Sequence, residues 1–255
     1  MDIKDIKQLY ANPIQFYKES PQNIVEMPEK RDDNTLYIYG PIMVEHMRLL
    51  IEEIFGNAVG VVSSMSFKSE LQNLSGEITL RINSPGGDIE EASAITNLLR
   101  TYDGKVNAII DGGCHSAAIM PLMSVPVENR LSSDLSDCLI HRAMLFGISG
   151  NVADLEEFVK DLKKADKRLQ DFIASNSKMS VSEVKELAEA DTFLQPKEMV
   201  DKGIVSALIR TPKGKVKNEA HQGPCLAGDT KDEQALADIE YAEKRLAEIS
   251  AGNVL

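Results

Sequence analysis

Tryptophan is absent from the 255-residue chain, aromatic residues of any kind make up only 5%, and cysteine occurs three times. Cys114, Cys138 and Cys225 form no Cys-x-x-Cys pair, so neither a disulfide framework nor a thiolate zinc site is indicated. The thiols are expected to stay reduced, with at least Cys114 and Cys138 in apolar surroundings. Positive charge is scarce as well, with 28 Lys and Arg against 40 Asp and Glu and a net charge of -12. A chain this acidic has no electrostatic footprint for nucleic acid or for anionic lipid. Long apolar runs are missing too, since nothing approaches the roughly 18 residues of a membrane span. The opening "MDIKDIKQLYANPIQFYKES" mixes charge with apolar residues where a signal peptide would carry a continuous core. The reading is a cytoplasmic protein without nucleic-acid or membrane partners, and no motif asks for a metal or a cofactor.

What is present is a series of strand-turn-helix units. "TLYIYGPI" (35–42) is β-rich and stops at Gly40-Pro41, after which Val44, Met47, Leu50, Ile51 and Ile54 recur at helical spacing. "GEITLRINSPGG" (76–87) is a strand ending in a Pro-Gly-Gly turn, and Ile89, Ala92, Ile95, Leu98 and Leu99 then line one helical face. "KVNAIIDGG" (105–113) repeats the plan, with a helix expected from about Ser116. Such units in series predict an α/β fold with a mostly parallel sheet. A strand near 137–141 precedes a long amphipathic helix over 152–173, and "SVSE" (180–183) reads as a capping box with Ser180 as N-cap and Glu183 three residues on. Residues 1–35 show no sustained period and read as an arm. The folded domain spans 36–210, and 211–255 reads as a flexible tail with a short helix on which Leu236, Ile239, Ala242, Leu246 and Ile249 share a face.

The chemistry-bearing candidates fall at strand ends and, for Asp191, after the helix over 181–188. A serine such as Ser116, in "IDGGCHSAAIMPLMS" (109–123), needs a base and an oxyanion site before it can act as a nucleophile. "NSPGGD" (83–88) can turn backbone amides outward, although Pro-Gly-Gly is also ordinary turn punctuation. His141 follows an apolar strand in "CLIHRAM", where a lone histidine is usually a structural residue. His46 lies on a charged helical segment, His221 in the tail, and His115 is adjacent to Ser116, so its side chain should point away. Asp191 opens "DTFLQPKEMVDKG", with Asp201 as a similar alternative.

Taken in order, "INSPGG", the Gly-x-x-x-Ser turn, "IH" after a strand and "ADTFL" resemble the ClpP-type serine peptidases, including the ClpP-related proteases of phage head-maturation modules. Gly87, Ser116, His141 and Asp191 follow one another at intervals of 29, 25 and 50 residues, close to that family's pattern, and the resemblance covers about Leu36 to Ile209. It implies a crotonase-like ββα superhelix with a protruding handle helix, and a triad of Ser116 as nucleophile, His141 as base and Asp191 as orienter. It places the oxyanion donors at the Gly87 and Ala117 amides. It further implies a homo-oligomer, a ring of seven or a stacked double ring joined through Leu155, Phe158, Leu162, Leu169 and Phe172. The substrates would be proteins or peptides, fed by an AAA+ unfoldase or drawn from phage capsid or scaffold protein. Two positions depart from the pattern. Cys114 and His115 stand where small residues usually precede the serine, and Ala143 stands where a proline usually follows the histidine. The alternatives are a catalytically silent ring subunit or scaffold, a Ser-Lys peptidase, and a crotonase-type acyl-CoA enzyme.

Overall fold

The computed structural model describes residues 3–13, 15–16, 34–55 and 60–209. In chain order its elements are α1 (Ile3–Ala11), β1 (Thr35–Tyr39), α2 (Glu45–Phe55), α3 (Ser64–Leu71), β2 (Ile78–Ser84), α4 (Ile89–Arg100), β3 (Val106–His115), a 3-10 turn (Ser116–Ala118) and α5 (Ile119–Ser124). They continue with β4 (Arg130–Ser133), β5 (Asp137–Ile140), α6 (Val152–Ser175), α7 (Val181–Glu189), β6 (Thr192–Leu194), α8 (Pro196–Asp201) and β7 (Ala207–Ile209).

The period-2 pattern of the first three strands decides the layering. Leu36 and Ile38, then Ile78, Leu80 and Ile82, then Val106, Ala108 and Ile110 are buried on one face, where α3, α4 and α5 contribute Phe67, Ile95 and Leu122 to the same core. The alternate residues carry a polar network: Arg81 Nε donates to Asp111 Oδ2 at 2.9 Å and the Tyr39 hydroxyl donates to the same oxygen at 2.5 Å. Burial, reinforced by Asp111, pushes the Tyr39 phenol up to about 12.

The strands are parallel and ordered β1-β2-β3-β4-β7, with β5 pairing β3 and with β6 joining β5 antiparallel. Strand β3 serves two partners in succession. Its first half pairs with β4 through Ala108, Ile109 and Ile110, and its second half with β5 through Gly113, Cys114 and His115. The switch coincides with an irregularity, since Ile82 faces Ile110 but Ser84 faces Cys114. The Asn83 amide fills this step by accepting the Gly113 N–H at 3.1 Å, and a Cβ at Gly112 would lie 2.6 Å from its oxygen. The pair of glycines in "DGG" is therefore a packing requirement.

Three expectations need correction. Residues 3–11 are helical, and Leu9 is buried with Met43, Ile51 and Val61 in a second apolar cluster. Ser180 does cap α7 by accepting the Glu183 N–H at 3.2 Å, but the Glu183 carboxylate ion-pairs with Lys202. Leu169 and Phe172 pack against the chain's own core, so of the five residues expected at a ring contact these two are engaged within the subunit. The expected helix over 236–249, Cys225 and His221 lie outside the described residues.

Candidate active site

Ser116 ends the run of β3 and begins the 3-10 turn with φ of 55°. A non-glycine residue in the left-handed region costs about 1–2 kcal/mol and is kept where its surroundings over-determine it. The surroundings here are close. Gly86, at φ 90°, passes so near that a Cβ on it would lie 2.4 Å from the His115 carbonyl oxygen and 2.9 Å from the Ala117 nitrogen. Gly87 is equally restricted, because a Cβ there would lie 1.9 Å from the Ile42 carbonyl oxygen. In the bridge between these segments the Ile42 N–H donates to the Gly86 carbonyl at 2.7 Å and the Asp88 N–H donates to the Ile42 carbonyl at 2.9 Å. That pattern leaves the Gly87 N–H out of the bridge. The Ala117 N–H belongs to the first turn of a helix, where donors lack intrahelical partners.

Strand register brings the other two residues to the same end of the sheet. His115 faces Leu139 across the parallel β3–β5 pair, so the next positions are Ser116 and Ile140. Ile140 faces Thr192 across the antiparallel β5–β6 pair, and His141 and Asp191 are the residues that adjoin that pair, close enough for the Asp191 carboxylate to act electrostatically on His141. Asp191 follows the C-cap of α7 and has φ of 47°, the third non-glycine positive φ among the described residues with Asn34 and Ser116. Asp201 goes elsewhere and lines a 430 Å³ cavity with Lys178, Glu183, Glu198 and Lys202. His46 is exposed on α2.

His141 is buried, and its Nε2 has no hydrogen-bond partner among the described residues. Burial holds its pKa below the ordinary histidine value, while the Arg142 backbone and the Asp191 carboxylate act in the opposite direction and the charges of Lys7 and His115 add to the lowering. The ring is thereby kept neutral near pH 7, as a general base requires. The loop after it is tied down on two sides. Arg142 ion-pairs with Glu189 at the end of α7, and the Ala143 N–H donates to Asp166 Oδ1 on α6 at 2.6 Å. A proline at 143 has no N–H to give, so this departure from the expected pattern carries its own anchor.

Other nucleophiles near the site are disabled. Cys114 and Cys138 are fully buried and face each other across β3 and β5. Burial, then a hydrogen bond with Cys138, pushes the Cys114 thiol well up, which leaves it without the thiolate a reaction needs. Two features were not legible from sequence. The Tyr10 ring of α1 lies 6.3 Å from the Phe146 ring in the loop after His141. His115 Nε2 lies 2.7 Å from Asp137 Oδ1, and only the β3–β5 register reveals that pair.

The chain is similar to known proteins over this same region. The model of the Clp protease family matches residues 31–212. The ATP-dependent Clp protease proteolytic subunit 2 of Borreliella burgdorferi is 27% identical over 177 residues, 69% of this chain and 83% of the relative. The protein of the same name from Treponema pallidum is 30% identical over 152 residues, 60% of this chain and 75% of the relative. A mutant of ClpP1 from Listeria monocytogenes shares the fold with a TM-score of 0.56 at 23% identity, over 70% of this chain and 92% of the other. Among the described residues no helix is long and apolar enough to cross a membrane. With the parallel sheet, the glycine turn at Ser116 and a family match over most of its length, this chain belongs to the Clp protease family and is a ClpP-like peptidase.

Proposed function

We propose that the protein is a serine endopeptidase in which Ser116 attacks the peptide carbonyl, His141 acts as base and then acid, and Asp191 orients His141. The observation that supports this reading is the shared end of β3, β5 and β6, with Ser116 at positive φ beside the glycine turn and His141 and Asp191 adjoining the Ile140–Thr192 pair, where the Asp191 carboxylate acts on His141. His141 Nε2, buried and unpartnered, takes the hydroxyl proton as Ser116 Oγ bonds to the carbonyl carbon, and returns it to the leaving amine. The Asp191 carboxylate holds the ring and stabilises the imidazolium formed in between. The oxyanion falls to the Gly87 and Ala117 amides, and each such donor contributes about 3 kcal/mol to lowering the barrier.

The assembly proposed with this reading is a ring of seven chains, stacked face to face. It is supported by the apolar side chains that the single chain leaves in solvent, Val152, Leu155, Phe158 and Val159 on the first turns of α6 and Leu145 and Ile148 before it. Contiguous apolar surface of this kind marks an interface.

The test is Ser116→Ala. Hydrolysis of a fluorogenic peptide and covalent labelling by a fluorophosphonate should both fall by about 10³-fold or more, with the thermal transition unchanged. Wild-type turnover in Ser116→Ala would overturn the assignment, and a wild-type protein that neither hydrolyses nor labels would favour a silent ring subunit.

A further inference from the structure

His115 is a buried polar side chain placed immediately before the nucleophile, and its contacts run away from Ser116. Its Nε2 lies 2.7 Å from Asp137 Oδ1. The carboxylate can only accept, so Nε2–H donates. The ring lies back over Gly113, where a Cβ would come within 2.7 Å of its Cε1. The Phe193 ring meets it edge-on at 5.5 Å. His115, Leu139 and Phe193 form one continuous row across β3, β5 and β6. That row lies one step before the row carrying Ser116, and the same three strands deliver Ser116, His141 and Asp191.

Stability alone does not account for this residue. Its Nδ1 is buried with no hydrogen-bond partner among the described residues, and an orphaned buried polar atom in a native fold calls for a reason. An apolar side chain would fill the same space without leaving a polar atom unpaired, and a pair whose carboxylate reaches solvent contributes little net stability. What the pair does provide is a fixed point on the residue before Ser116. Ser116 departs from the strand at φ 55° while His115 is still extended, with φ of -108°. The chain therefore reverses its backbone conformation within one residue, and the residue before the reversal must be held.

We propose that His115, clamped by Asp137 and Phe193, is a positioning residue that holds Ser116 in its left-handed conformation and so aims the hydroxyl at His141. The proposal rests on the Ser116 nucleophile of the preceding reading. Without the clamp the end of β3 relaxes toward an ordinary extended continuation, and the hydroxyl and the Ala117 amide move together out of line.

Asp137 gives the cleaner test, since its carboxylate is about one-third exposed and can be removed without opening the core. In Asp137→Ala, kcat for a fluorogenic peptide and the rate of fluorophosphonate labelling should both fall by about 10- to 100-fold, with KM held within about two-fold. Asp137→Asn keeps an oxygen that accepts from Nε2 and should recover most of the lost rate. His115→Ala should reproduce Asp137→Ala where it folds; if it does not fold, the Asp137 pair decides. Wild-type kcat and labelling in Asp137→Ala, a loss confined to KM, or an Asp137→Asn no better than Asp137→Ala would overturn the proposal. Ser116→Ala run alongside separates the two ideas. If it remains active, the nucleophile assignment has failed; if it is inert while Asp137→Ala is normal, only the positioning role has failed.

Discussion

Gly86 and Ser116 approach so closely that a Cβ on the glycine would lie 2.7 Å from the Cβ of the serine. The other atoms it would meet, the His115 carbonyl oxygen and the Ala117 nitrogen, are backbone and cannot swing aside. Gly86→Ala should therefore abolish fluorophosphonate labelling and cost about 3 kcal/mol or more of stability, from the clash and the positive φ together. Gly147 serves as the control, because its φ is 65° but nothing lies within 4 Å of its missing Cβ. Gly147→Ala should cost only about 1 kcal/mol and label normally. Urea titration with a labelling time course reads both.

The rate of hydrolysis should rise with pH along a single histidine limb. Only neutral His141 can accept the proton, and burial places its midpoint below the ordinary histidine value. Activity should be full at pH 7 and fall as the pH drops through that lowered midpoint. Asp191 raises the pKa, whereas Lys7 and His115 lower it. Asp191→Asn should thus move the limb further down in pH while reducing kcat, and Lys7→Gln should move it up. The same burial makes protonation unfavourable to the fold, so this residue's contribution to stability is complete above the unfolded pKa and is lost as pH falls through the folded one. A profile flat from about pH 5 to 8 would point to a different base.

Arg130 acts away from the site, opposite Ala108 near the start of β3. Buried and drawn down to about 10 by desolvation, its guanidinium donates to the carbonyls of Val125 at 2.6 Å, Asn176 at 2.8 Å, Met123 at 3.3 Å and Ile204 at 3.4 Å. It thereby joins the end of α5, the end of α6 and the chain leading to β7. Arg130→Ala leaves four carbonyls unmet and should cost about 3 kcal/mol or more, visible as a lower urea midpoint. Arg130→Lys, with three donors, should recover part of it.

Ser116 and His141 stood out as candidates because each lies where an apolar strand stops, and strand ends are punctuated by glycine or by a change of period, whereas Asp191 lies between the C-cap of α7 and the start of β6. The helix over 3–11 was not legible, since Pro13 and scattered charges obscure it and Leu9 is buried only by the distant Met43, Ile51 and Val61. Strand β4 escaped for a related reason. Its inward residues are Arg130 and Ser132, polar groups that tertiary partners satisfy. The His115–Asp137 pair depends on which strand joins the second half of β3, a choice made by the step at Asn83 and invisible to local pattern.

Helix α6 shows the same division, because periodicity defines an apolar stripe but not what covers it. Toward its C-terminal end the cover is the chain itself, with Leu169 6% and Ile173 1% exposed. Toward its start Leu155 is 40% and Phe158 36% exposed, so a second chain is the expected cover there. The two ends should answer differently to substitution. Leu169→Ala opens a cavity inside the subunit and should lower stability by about 2–5 kcal/mol whatever the assembly. Phe158→Glu removes no internal contact of that kind and puts charge on the exposed stripe, so light scattering should show the assembly split while the secondary structure by circular dichroism is kept. The wild-type protein running with the mass of one or two chains would reject the ring, and a Phe158→Glu protein that keeps the wild-type mass would move the contact off the first turns of α6.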